Sequence, residues 1–184
     1  MNLAELPNDL PVPFNDGAAS HLTGQYLPDI QLTATNGEIV RLNQLKAKYV
    51  IYIYPMTGQP NIALPDGWDN IPGARGCTPQ SCSFRDHADE LEKLDSKIFG
   101  LSSQKTQYQS EVKNRLHLPF ELLSDDSFLL KETLGLPTFH AGNIELYKRL
   151  TMIIEHGQII KTFYPVFPPD KNADDVIAWL KTNS

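Results

Sequence analysis

Cys77 and Cys82 are the only cysteines in the chain, and four residues separate them within GARGCTPQSCSFRD, residues 73–86. The spacing is neither the C-x-x-C of a dithiol redox site nor half of a zinc ligand set. Pro79 suits the first position of a helix, where its missing N–H is not needed. The residue before a proline avoids the helical region, so Thr78 is predicted as the N-cap. Cys77 then lies at the helix mouth, facing unpaired N–H groups and the positive end of the dipole. Those conditions favour a thiolate, the reactive form of cysteine, and Arg75 two residues away adds positive charge. If both cysteines are helical, their Cα atoms are roughly 8–9 Å apart, beyond the ~7 Å limit for a disulfide. A bond between them needs the first turn to unwind, which suits a disulfide made and removed in each cycle better than a permanent staple. Three readings stand at this point. One is redox catalysis with Cys77 as nucleophile and Cys82 as its resolving partner. Another is a metal site of Cys77, Cys82 and His87, short of a four-ligand set. The last is a pair of cysteines that merely pack.

The elements that must position this segment give an α/β class with a mixed sheet. YVIYIY (49–54) reads as a central buried strand and ends at Pro55. A Pro- and Gly-rich stretch over 57–76 follows, and then a helix from Pro79 to about Leu94 with apolar Phe84, Ala88, Leu91 and Leu94 on one face. Short strands are predicted at 30–34 and 39–42 across Asn36-Gly37, with further strands at 97–103 and 120–124. Helices are predicted at 106–116 and 127–134. A closing hairpin over 149–155 and 158–164 turns at His156-Gly157, and a last helix starts near 172–173 and runs to Leu180. Cys77 therefore lies past the central strand at the start of the first long helix, where open α/β sheets bind ligands. Residues 1–22, with Pro7, Pro11 and Pro13, read as an extended arm ahead of one domain over 23–184, which carries an inserted loop at about 58–76.

Composition narrows the function classes. The net charge of −6 leaves no basic stripe for nucleic acid or an acidic membrane. No apolar run is long enough to span a bilayer, and MNLAELPNDLPVPFND lacks the basic and apolar regions of a secretion signal. Two cysteines are too few for a disulfide framework, so a reducing, cytoplasmic setting is expected, with thiol chemistry kept for catalysis.

GCTPQSCSFRD resembles the active-site segment of the Q-type peroxiredoxins, the bacterioferritin-comigratory-protein-like thiol peroxidases of the AhpC/TSA family. The similarity extends over about residues 22–182, through LPDIQLTATNGEIVRLNQL, YVIYIYP, KIFGLSSQKTQYQSEVKNRLHLPFELLSDDSFLLKETLGL and RLTMIIEHGQIIKTF. The resemblance implies a thioredoxin-like fold, a central mixed β-sheet flanked by helices. It also implies reduction of hydrogen peroxide and organic hydroperoxides without a cofactor or metal. Cys77 would become a sulfenic acid, Cys82 would condense with it to a disulfide, and thioredoxin or a glutaredoxin-like dithiol would reduce that disulfide. Arg149 matches the family's active-site arginine, which holds the thiolate and the peroxide oxygens. Pro55, Gly76 and Thr78 fall at peroxide-binding positions. A resolving cysteine in the same chain leans towards a monomer.

The sequence departs from the family on one side of the motif. The family's threonine three residues before the cysteine is Ala74 here, and its proline seven before is Asn70. YPMTG places Pro55 and Thr57 after the central strand instead, with about fifteen residues inserted before the cysteine. Thr57 is therefore the expected source of the missing hydroxyl, against a role in forming the turn. The insertion, with Ile62, Leu64, Trp68 and Ile71, either walls the peroxide pocket and shapes access for bulky hydroperoxides or the reductant, or is a packed surface elaboration. A thioredoxin-type disulfide carrier and a redox-sensing module remain rival functions. His87 and His117 are expected to be solvated, Asp125-Asp126 to form a turn and cap, and Arg85 to pair with Asp86 or a neighbouring loop.

Overall fold

At the centre of the sheet is β3 (Lys48–Ile53), a β-branched and aromatic strand in which Val50 through Ile53 are all buried. Its side chains alternate between two cores. Ile51 and Ile53 join Leu101, Leu123 and Met152 on one face, while Val50 and Tyr52 join Phe84, Leu122 and Val176 on the other. The chain is a computed structural model that describes residues 2–183.

In chain order the strands begin with β1 (Gln31–Ala34), β2 (Ile39–Arg41) and β3. After them come α1 (Cys77–Asp86), α2 (Ala88–Lys93), β4 (Ser96–Ser102), α3 (Thr106–Leu116), β5 (Glu121–Ser124) and α4 (Leu129–Leu134). The chain closes with β6 (Thr138–Ala141), β7 (Ile144–Tyr147), β8 (Leu150–Glu155), β9 (Gln158–Phe163) and α5 (Asn172–Asn183). Seven strands form one mixed sheet in the order β2-β1-β5-β4-β3-β8-β9. β3 pairs with β4 in parallel, through the α1–α2 crossover, and with β8 antiparallel. That is the α/β class read from the sequence, with α1, α2, α3 and α5 contributing to the core on one face of the sheet.

Three local expectations are corrected. The helix predicted from Pro79 to Leu94 is two helices that meet at His87, whose backbone (φ −103°, ψ 8°) leaves the helical region. Its ring Nδ1 lies 2.9 Å from the Ser83 carbonyl and Nε2 lies 3.1 Å from Asp174 at the start of α5, so the joint is tied on both sides. The N-cap is Gly76 rather than Thr78, so Cys77 itself opens the helix and Pro79 is its third residue. Proline is tolerated there because the first intrahelical bond is donated by Gln80 to the Gly76 carbonyl, 3.0 Å away, one residue beyond it. The β6–β7 hairpin was not expected at all. It stands outside the main sheet, and its Ala141 and Leu146 pack with Trp68 of the inserted loop.

The arm is not detached from this core. Ala19 and Leu22 are buried with Leu134 and Leu136, and the His21 ring lies 2.7 Å from the Leu134 carbonyl. Asp125 caps α4, accepting the Leu129 and Leu130 N–H groups at 2.8 and 2.9 Å, as its sequence position suggested. Among the described residues no helix is long and apolar enough to cross a membrane.

Candidate active site

Gly76 has φ 109°, a left-handed conformation that glycine adopts freely. A Cβ there would lie 2.3 Å from Pro169 and 2.9 Å from Leu6, so both the turn and the close packing behind it require glycine. The turn delivers Cys77 to the first position of α1, at the C-terminal end of β3 as the sequence predicted. Helix geometry leaves the N–H groups of Cys77 and Thr78 without intrahelical acceptors, at the positive end of the helix.

Cys77 is 3% exposed; its thiol donates to the Ala74 carbonyl at 3.7 Å, and Arg149 reaches the sulfur. Nη2 of Arg149 lies 3.2 Å from Sγ and also donates to the carbonyls of Ala74 (3.0 Å) and Arg75 (3.3 Å). Nη1 donates to Gln80 Oε1. Gln80 Nε2 in turn donates to Asn172 Oδ1 at 2.9 Å, and the same oxygen accepts from Thr151 at 2.6 Å. A buried guanidinium 4% exposed is thus held by a chain of neutral partners reaching α5 and β8, with one edge aimed at the sulfur.

The other guanidinium nearby, Arg75, also lines the cavity over the thiol and joins the arm to the inserted loop. It pairs with Asp69 of the inserted loop at 3.0 Å and donates to the Asn2 and Glu5 carbonyls of the arm at 3.1 and 3.5 Å. Thr57 is fully buried, and its hydroxyl donates to Gln104 Oε1 at 3.2 Å while its carbonyl accepts from Tyr108 at 2.9 Å. The small cavity over the thiol is lined by the flanking Met56 and Gly58, and by Gly76 and Thr78, with Thr57 set back from it. Pro55 is buried at the end of β3.

Cys82 lies on the same continuous helix, half-buried, and both cysteines are free thiols. Burial pushes its thiol above the ordinary cysteine range, the nearby Arg85 opposing the shift. Arg85 pairs with Asp86 at 2.9 Å and donates to the Leu116 carbonyl at 2.9 Å, tying α1 to α3. Sequence reasoning missed Gln80, Asn172 and the arm. Gln80 was findable, since a residue three after Cys77 shares its helix face. Asn172 and the arm are brought in by tertiary folding alone.

The family described as Redoxin matches residues 22–177. Peroxiredoxin Bcp of Bacillus subtilis (strain 168) is 30% identical over 156 residues, which cover 82% of this chain and 90% of that protein. The chloroplastic peroxiredoxin Q of Suaeda salsa is 27% identical over 161 residues, 86% of this chain and 67% of that protein. Among solved structures, peroxidoxin BcpB from Mycobacterium tuberculosis superposes with a TM-score of 0.71 at 22% identity, covering 89% of this chain and 98% of its own. A Cys-to-Ser mutant of Xylella fastidiosa PrxQ gives 0.72 at 18% identity, covering 88% and 97%. At such identities the structures speak for the fold, the thioredoxin-like arrangement expected from the sequence.

Proposed function

Because the chain belongs to the redoxin family, and within it to the peroxiredoxins, it is a thiol-dependent peroxidase, and we propose that Cys77 is the residue its peroxide meets. The observation that carries this assignment is the Arg149 Nη2 contact, 3.2 Å from a buried sulfur at a helix N-terminus. The guanidinium and the unpaired N–H groups of the first turn are donors already fixed beside the sulfur before substrate arrives.

The thiolate attacks the terminal peroxide oxygen and forms an S–O bond as the O–O bond breaks. The departing alkoxide, or hydroxide from hydrogen peroxide, takes up a proton and leaves as alcohol or water. Sulfur gives up two electrons and becomes a sulfenic acid. Arg149 and the free N–H groups of the first turn hold the oxygens in line. Thr78 and Gly76, which line the cavity, are the peroxide-binding positions best supported by the geometry. The Thr57 hydroxyl, engaged by Gln104, fits the alternative role of shaping the strand-end turn.

Resolution needs α1 to unwind, since helix geometry keeps Cys77 and Cys82 roughly 8–9 Å apart at Cα. Unwinding exposes Cys82 to water and removes the burial that holds it protonated. Its thiolate then attacks the sulfenic sulfur, oxygen leaves as water, and an intramolecular disulfide forms. A dithiol, thioredoxin or a glutaredoxin-like protein, returns both sulfurs to thiols. Both cysteines lie in one chain, which supports a monomeric enzyme, and the reducing conditions this cycle needs support a cytoplasmic one.

The test is peroxide consumption with an excess thioredoxin system. The wild type turns over and Cys77→Ser falls to background, at least about 10³-fold lower. Cys82→Ser keeps the first oxidation, recycles slowly and accumulates sulfinic acid. Turnover retained by Cys77→Ser rejects the assignment.

A further inference from the structure

Three segments far apart in sequence converge above the Cys77 sulfur. Leu3 comes from the arm, Met56 from the end of β3, and Leu64 and Trp68 from the inserted loop. The space they leave is about 10 Å³, room for about one water molecule. Leu3 and Leu64 both reach Gly58, where a Cβ would lie 3.0 and 3.1 Å from their methyl groups. Leu6 presses on Gly76 beside the sulfur. Arg75 joins arm to loop by polar contacts at this point: Nη1 on the Asp69 carboxylate, Nη2 on the Asn2 and Glu5 carbonyls. Its side chain is 6% exposed while the Asp69 carboxylate is 40% exposed, so the clamp sits at the rim of the roof, where it can be released.

We propose that Arg75 sets which peroxides reach Cys77, by clamping residues 2–6 of the arm to the 58–72 loop as a closed roof over the thiol. The inference rests on the peroxidase reading and adds a substrate class to it. With the roof closed the site takes hydrogen peroxide, whose two oxygens fit where little more than a water does. Within this cavity an alkyl or aryl hydroperoxide has no room for its tail until the arm lifts. Entry of bulky substrates is then limited by release of the Arg75 bonds, while hydrogen peroxide needs only a small displacement.

The test compares second-order rate constants for hydrogen peroxide and cumene hydroperoxide in wild type, Arg75→Met and Leu3→Ala/Leu6→Ala. Arg75→Met keeps the length of the side chain and removes the clamp. The double variant keeps the clamp and thins the roof. The cumene-to-hydrogen peroxide ratio rises at least about tenfold in both. If Arg75 acted only through its charge on the thiolate, both peroxides would slow together and the ratio would stay fixed. A parallel measurement avoids turnover altogether. In the Cys82→Ser background, the ratio of Cys77 alkylation by a bulky aryl maleimide to that by iodoacetamide rises by a similar factor in both variants. This second readout judges the roof even if no peroxide is consumed, an outcome that would sink the peroxidase reading alone. Unchanged ratios in either variant overturn the proposal, and because the arm variant leaves Arg75 intact, a misfolded Arg75→Met cannot rescue it.

Discussion

Below the Cys77 sulfur lies a floor of β3, β4, β8 and α1, and above it lies a cover of arm, inserted loop and the β6–β7 hairpin. The floor is fixed by continuous strand ladders and by aromatic packing: Tyr52 stacks on Phe84 of α1 at 4.6 Å and donates to Ser81 at 3.0 Å. The cover has the short β6–β7 ladder and a small cluster centred on Trp68, with the Arg75 bonds at its edge. The Arg149 network is anchored to the strands and α5 of the better-fixed part, while the access proposed above falls to the part held by fewer contacts. The difference teaches where stability and selectivity are separately adjustable in this protein.

The largest effect that sharpens the contrast belongs to the floor. Phe84→Ala leaves a cavity against Tyr52 and lowers the free energy of unfolding by about 3–5 kcal/mol in urea titrations. Next comes the link between floor and sulfur. Arg149→Lys keeps a positive charge but loses the fork that spans Gln80, the Ala74 carbonyl and Cys77 Sγ, and kcat/KM for hydrogen peroxide drops about 10²-fold. In the cover, Trp68→Ala costs only about 1–2 kcal/mol globally, because a locally opened segment cannot lower stability by more than its own. Hydrogen exchange shows its protection lost over 58–72 and kept in β3. Losses as large as that of Phe84→Ala would break the comparison.

The smallest effect is a pH profile. Burial raises the Cys82 thiol above its ordinary value of 9.0, so the thiolate is scarce below that pH. In Cys77→Ser, iodoacetamide labelling of Cys82 therefore climbs about tenfold per pH unit and continues to climb above pH 9. In denaturant the profile moves to lower pH. A folded-state plateau below pH 9 contradicts the half-buried resting position.

Much of the floor was legible because its signals are local. YVIYIY and RLTMIIE are strands by composition, and the fusion of Gly, Cys and Pro marks a helix start whatever surrounds it. The N-cap was misplaced by two residues because proline at the third helical position obeys the same missing-donor rule as proline at the first. Arg149 was identified by its resemblance to a family pattern, while its holder Gln80 needed the helix face to be drawn out. The cover was illegible for a physical reason. Residues 58–72 and the arm have no periodicity, and what orders them is contact with each other, with the core and with the β6–β7 hairpin. The β6–β7 hairpin, with only four residues in each strand, gives too short an alternation to stand out.

The break at His87 has a mechanical consequence. A single rod from Pro79 to Leu94 would carry any twist at its mouth to its far end and pry Leu91 from the sheet. The jointed chain need not, because the ten residues of α1 end at His87, which is anchored to Asp174. The unwinding of α1 proposed for resolution is thereby confined to one segment, with Leu91 of α2 left seated in the core.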